Sequence, residues 1–120
     1  MQFMALIYSD EQAWESLPDA ERASTLERYL EFGKRGRKSG SVVGGDELAP
    51  TSAATTVRVR GDETLVTDGP YTEVKEALGG YFLLECDSID EACGLAAQIP
   101  AAQHGAVEVR PTFLDTEGER

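Results

Sequence analysis

The sequence predicts an α+β fold: a ferredoxin-like sandwich of two βαβ units with an inserted β-hairpin, its antiparallel sheet carrying two helices on one face. Three observations carry this. Two short apolar runs, 3–8 and 81–86, have the length and composition of inner strands. A stretch with helical spacing follows each run. Between the units, an alternating stretch broken by Gly61-Asp62-Glu63 has the pattern of a hairpin. With 120 residues the chain makes one domain, expected over 1–114, with a polar tail at 115–120.

Each element follows from local chemistry. Phe3 to Tyr8 is continuously apolar, so both faces of that strand are expected to be covered. Ser9 to Ser16 is expected to be a polar connection carrying Trp14. Pro18 suits the first position of a helix. Ala23, Leu26, Leu30 and Gly33 then recur at helical spacing beside Tyr29, and Gly40 is the expected stop. Ser41 to Leu48 is strand-like, and its paired glycines indicate a bulge or a close approach by another group. Thr55–Arg60 and Thr64–Thr67 form the hairpin. Ser88 with Glu91 makes a capping box for a second helix, whose apolar stripe is Ile89, Ala92, Cys93, Ala96 and Ile99 and which Pro100 ends. Ala106 to Phe113 is the last strand.

Composition excludes several functions. A net charge of −11 argues against a nucleic-acid partner, and the basic cluster Lys34 to Lys38 is expected to be a solvated helix end. No apolar run is long enough to span a membrane, and the N-terminus lacks the basic region and cleavage site of a signal peptide. A cytoplasmic protein is expected. Cys86 and Cys93 lack metal or redox spacing and read as small structural hydrophobes. One histidine gives no ligand set, so no metal is expected, and no cofactor motif occurs.

Strand parity separates two sheet faces. Phe82, Leu84, Val107 and Val109 are the natural partners of the helices. Tyr81, Glu85, Glu108 and Arg110 fall on the face the helices leave open. A second copy packed on that face would cover it, since isologous dimers are the commonest oligomers. Its charged groups would then pair with one another or line a cavity.

The densest motif is Val66-Thr67-Asp68-Gly69-Pro70-Tyr71, continued by Glu73, Lys75, Glu76, Leu78, Gly79, Gly80 and Tyr81. It resembles the signature of the DGPF group of YCII-related proteins, with Tyr71 where that group usually has Phe. The likeness extends through Met4 to Tyr8, Val43-Gly44-Gly45, Thr55 to Arg58, Ile99 to Ala102 and Val107 to Pro111. The resemblance implies a ferredoxin-like fold that forms a dimeric α+β barrel. It also implies a small bacterial protein of a group commonly encoded beside extracytoplasmic-function sigma factors, the biochemical role of that group being largely unassigned. A histidine–aspartate pair suggested for the wider family does not carry over. The first helix has no histidine, and Ile99 precedes Pro100 where the aspartate would stand.

The candidate site therefore uses other groups. Asp68 and His104 are the candidate catalytic bases. Lys75 or Arg110 would hold an anionic group, and Tyr71 and Tyr81 would form a wall. Tyr8 and Glu108 complete the ligand-binding set. The expected protein is a homodimer, joined through the helix-free face, with a small-molecule pocket near the Asp-Gly-Pro segment. Two alternatives stand beside it: an enzyme performing a proton-transfer or lyase- or isomerase-type step on a small anionic substrate, and a non-catalytic regulatory module linked to sigma-factor signalling.

Overall fold

Strand β1 (Gln2–Ser9) occupies an inner position because its side chains alternate without a break. Phe3, Ala5 and Ile7 are buried against the helices, while Met4, Leu6 and Tyr8 point the other way and are half-buried. The computed structural model describes residues 1–113; the expected tail lies outside the described residues. A four-stranded sheet runs in the order β2 (Val42–Glu47), β5 (Ala77–Glu85), β1, β6 (Ala106–Pro111), with every neighbour antiparallel. This is the strand order of a ferredoxin-like sandwich, and the expected fold class holds. The long helix α2 (Asp19–Ser39) packs near β2, and α3 (Ile89–Ala96) near β6 and β1. Among the described residues β3 (Thr55–Arg60) and β4 (Glu63–Asp68) pair with each other alone, as a separate two-stranded sheet.

Several local expectations need correction. Residues 9–16 are not an irregular connection: Asp10 accepts hydrogen bonds from the Gln12 and Ala13 amides and caps a short helix, α1 (Glu11–Glu15). Pro18 is the N-cap of α2 rather than its first residue. The buried face of α2 is also rotated from the expected one. It carries Thr25, Phe32, Gly33 and Gly36, with Tyr29 half-buried, whereas Ala23, Leu26 and Leu30 are exposed. Phe32 decides this, meeting Phe82 edge-on with ring centres 4.9 Å apart. Such a pair adds about 0.5–1.5 kcal/mol beyond its burial.

Glycine supplies the second reason. A methyl group on Gly36 would lie 2.2 Å from Val42 Cγ2, so only glycine lets α2 settle this close to β2. The paired glycines of β2 act similarly against β5. A Cβ on Gly45 would lie 2.7 Å from the Tyr81 carbonyl oxygen, and the strand bulges between Val42 and Gly44. The close approach is therefore to backbone.

In α3 the Ser88 hydroxyl accepts from the Glu91 amide at 3.2 Å, and the Glu91 carboxylate accepts from the Asp87 amide at 2.7 Å, so the capping box forms with a one-residue offset. Ala92, Ala96 and Ile99 are buried, but Ile89 and Cys93 are exposed. Cys93 is thus no buried hydrophobe, because a narrow stripe of small residues suffices to seat a helix of eight residues. After Pro100 the chain makes one more turn, α4 (Ala101–His104). β6 stops at Pro111, and Phe113 beyond it is exposed rather than continuing the inner face.

Two of the helix glycines, Gly36 and Gly94, should respond oppositely to alanine. Gly36→Ala is expected to cost about 1–3 kcal/mol, as overpacking does, although alanine is the better helix former by about 1 kcal/mol. Nothing lies within 4 Å of a Cβ on Gly94, so Gly94→Ala should gain up to about 1 kcal/mol. Thermal unfolding of the two variants checks this, and a Gly36 variant as stable as wild type would contradict the close contact.

Candidate functional site

The helix-free face gathers four of the sequence-predicted residues. In the antiparallel register Leu6 of β1 sits between Tyr81 of β5 and Glu108 of β6. Met4 sits between Leu83 and Arg110 in the next row. Partners in register share a face. So Tyr8, Tyr81, Glu108 and Arg110 surround an apolar centre of Met4, Leu6 and Leu83. The Tyr8 hydroxyl reaches diagonally across and donates to Glu108 Oε1 at 3.3 Å. That is longer than the roughly 2.7–2.8 Å common for O–H···O bonds, so the contact is a weak one. Arg110 stands two residues beyond Glu108, on the same face.

The electrostatics of Tyr8 follow from this geometry. Burial against the sheet raises its phenol above the ordinary value of 10.0; the Glu108 charge and hydrogen bond raise it further, and Arg110 opposes them. Tyr8 is therefore a protonated donor at neutral pH, beside a carboxylate and a guanidinium. A donor, an acceptor and a cation on one surface are the groups that could orient an anionic molecule and exchange a proton with it.

The remaining predicted residues lie elsewhere. Asp68 is the last residue of β4, opposite Thr55, and is exposed. Tyr71 is 76% exposed and lies under the Arg58 guanidinium, 5.5 Å from its ring centre. Lys75 is exposed on the connection into β5, and His104 is exposed at the end of α4. Asp68, His104 and Arg110 thus sit on three separate elements, and no hydrogen bond or ion pair among the described residues joins them.

The motif segment itself is divided. Asp68 belongs to β4, and 77–80 already belong to β5, so only 69–76 is a connection. The Gly69 amide donates to the Ala54 carbonyl at 2.8 Å, and the Thr56 hydroxyl to the Gly69 carbonyl at 2.8 Å. Asp-Gly-Pro therefore fastens the root of the hairpin. It also delivers Leu78 into register with Tyr8, which places the Tyr8–Glu108 group where this segment joins the sheet.

A second concave region, about 550 Å³, lies at the other end of β5, between it and α3. Its lining includes Glu85, Asp87 and Glu91. Glu85 already pairs with the Met1 ammonium at 2.6 Å, and Glu91 with the Asp87 amide. Cys86 lines it too, its thiol pushed up by burial and so held protonated. Sequence reasoning missed the Met1–Glu85 pair, because nothing in a strand pattern announces a terminal amine. Among the described residues, no group of three or more His, Cys, Asp or Glu side chains is arranged to hold a metal ion. No described helix is long and apolar enough to cross a membrane.

The family model of the YCII-related domain matches residues 1–114. The chain belongs to the YCII-related family. It is also similar to the uncharacterized protein R00369 of Rhizobium meliloti (strain 1021), at 37% identity over 128 aligned residues that cover 99% of this chain and 98% of that protein. In this YCII-related chain Ile99, at the position before Pro100, is fully buried in the core. That position serves packing, not proton transfer.

The Tyr8 environment makes a pH prediction. Its folded pKa is raised, so the stability it contributes is complete below pH 10.0 and is lost as pH rises through the folded value. In absorbance titration, the difference between wild type and Tyr8→Phe should show a midpoint above 10.0. Glu108→Gln should move that midpoint down, though not fully to the ordinary value, since burial remains. An unmoved midpoint would remove Glu108 from the environment of Tyr8.

Proposed function

We propose that this YCII-related protein is a homodimer that binds a small anionic molecule at the Tyr8–Glu108–Arg110 group, between the helix-free sheet face of one copy and the second copy. One observation carries this reading. β1 has the composition of a strand covered on both faces, yet among the described residues only the face of Phe3, Ala5 and Ile7 is buried. Met4, Leu6 and Leu83 are left half-buried on a face whose charged residues cluster at one side. A second sheet packed there would remove the apolar rows from water at roughly 25 cal/mol per Å². It would also enclose Arg110 and Glu108 in a medium where an anion is held more strongly. Tyr81 forms the wall, and the segment carrying Asp68, Tyr71 and Lys75 forms the rim.

The Tyr8–Glu108 hydrogen bond favours a second reading, in which the bound molecule undergoes proton transfer. Arg110 holds its anionic group. Glu108 removes a proton from the ligand, and Tyr8 donates its own to an oxygen on which charge develops. Asp68 and His104 remain the alternative bases.

Light scattering should give a particle of twice the 13.0 kDa chain mass, and Leu83→Arg should reduce it to the single chain. Among small mono- and dicarboxylic acids, some should raise the melting temperature of the wild type, and Arg110→Ala should abolish the shift. A wild-type mass of 13.0 kDa, or a shift that survives Arg110→Ala, would overturn the proposal.

A further inference from the structure

The β3–β4 hairpin is built to be received by another surface. Its inner pairs place Val57 opposite Val66 and Val59 opposite Thr64 on one face. Val57, Val59 and Val66 are 59%, 61% and 65% exposed. These are β-branched residues with the highest preference for a packed sheet, yet among the described residues they stay mostly exposed. Among the described residues the hairpin has no third strand, and a two-stranded ribbon alone is marginal in water.

Its root, by contrast, is held firmly. The Gly69 amide and the Thr56 hydroxyl tie the two strands together at their base. The Glu11 carboxylate accepts from both the Thr51 amide and hydroxyl, at 2.8 and 2.6 Å, and pins the preceding loop to α1. Gly61, with φ 60°, opens a two-residue turn that closes the tip. The result is an arm with a fixed base and bare apolar sides. The shape of the whole chain agrees. Its radius of gyration is 16.3 Å, against about 13–14 Å for a compact chain of this length.

We propose that this arm embraces the second copy of the chain, so that the valine face of each hairpin packs on the partner's body. The proposal rests on the dimer reading above. It is argued from area. A four-stranded face whose strands have 6, 9, 8 and 6 residues, at about 3.3 Å per residue and about 4.8 Å between strands, projects roughly 460 Å², a little over half of the ~800 Å² per partner that stable interfaces bury. The hairpin has two strands of six residues, so its valine face adds about two-fifths as much again. The sheet face alone makes a small interface, and sheet face plus arm approaches an ordinary one. The connection 69–76, with Tyr71 and Lys75, is then carried at the edge of the interface. This explains why an exposed loop carries so specific a run of residues.

Sedimentation equilibrium on the full chain tests the arm separately from the dimer. The double variant Val57→Lys/Val66→Lys should raise the dimer dissociation constant at least tenfold. Amide exchange in β1 and β5 of that variant should stay as slow as in wild type, showing that the main sheet is intact. In the wild type, amides of 55–68 should be protected above the dissociation constant and exchange rapidly below it. If the double variant dimerises as tightly as wild type while Leu83→Arg is monomeric, the arm is refuted and the dimer stands. Concentration-independent exchange in 55–68 would also refute the arm. A wild type that is monomeric at every concentration refutes both.

Discussion

The fold depends on the period-two alternation of β1. This strand touches both of its neighbours along nearly its whole length, pairing with β5 from Gln2 to Ser9 and with β6 from Phe3 to Tyr8. Its odd-numbered residues, Phe3, Ala5 and Ile7, supply the core beneath both helices. Its even-numbered residues make the other face. A slip of one residue in either pairing would exchange the two sets and send Phe3 and Ile7 into water. Two features hold the register against such a slip. A bulge between Ile7 and Tyr8 marks one end, and at the same end a Cβ on Gly105 would lie 2.2 Å from the Tyr8 carbonyl oxygen. The chain can enter β6 there only because residue 105 has no side chain.

The same alternation separates packing from chemistry. Everything on the helix side is apolar or small: Leu84, Ala92, Ala96, Ile99 and Ala101 lie against Phe3 and Ala5. Tyr29 and Cys86 reach its edge, and Thr25 is the buried polar residue among the described residues. The charged side chains lie on the helix-free face, on the exposed sides of the helices and on loops. On the helix-free face they are ordered by strand register, which fixes their separations to the spacing of a sheet. Tyr8, Glu108 and Arg110 are thus spaced by the β1–β6 register, whereas Asp68 ends β4, Lys75 stands on the connection into β5 and His104 ends α4, three places that no common register relates.

Much of this was legible in the sequence, and the reasons differ by element. The two inner strands and the hairpin could be read because apolar runs and alternation reflect burial directly. The faces of β5 and β6 followed from parity alone, which is why Tyr81, Glu108 and Arg110 could be grouped in advance. The buried face of α2 could not be read. Leu26 and Leu30 have the stronger apolar side chains, but two glycines and Phe32 allow a closer approach to the sheet, and close approach wins over side-chain hydrophobicity. α1 was hidden because its signal is one aspartate accepting from two amides, over too few residues to show a period. The Tyr8–Glu108 contact was half visible. Both residues were candidates, but their meeting depends on a diagonal across the β1–β6 register, which only the pairing reveals.

The Asp-Gly-Pro segment is best understood through what it joins. It begins at the end of a hairpin that buries little and ends in the strand that carries Tyr81 and Leu83. A turn with a left-handed glycine, Gly69 at φ 102°, is the economical way to reverse the chain between two separate sheets. Proline after it removes conformations the unfolded chain would otherwise occupy. Geometry of this kind explains Gly69 and Pro70 without any ligand, and Gly80 as well, whose Cβ would lie 2.9 Å from the Asp46 carbonyl oxygen; it does not explain Gly79, where a Cβ would meet nothing within 4 Å. It does not explain Tyr71 and Lys75, whose side chains are exposed and make no contribution to the core. Tyr71 lies instead under the Arg58 guanidinium of the hairpin, and Lys75 stands on the connection just before β5. Because that connection enters the sheet with Leu78 in register with Tyr8, the motif segment and the Tyr8–Glu108 contact lie at the same end of the sheet.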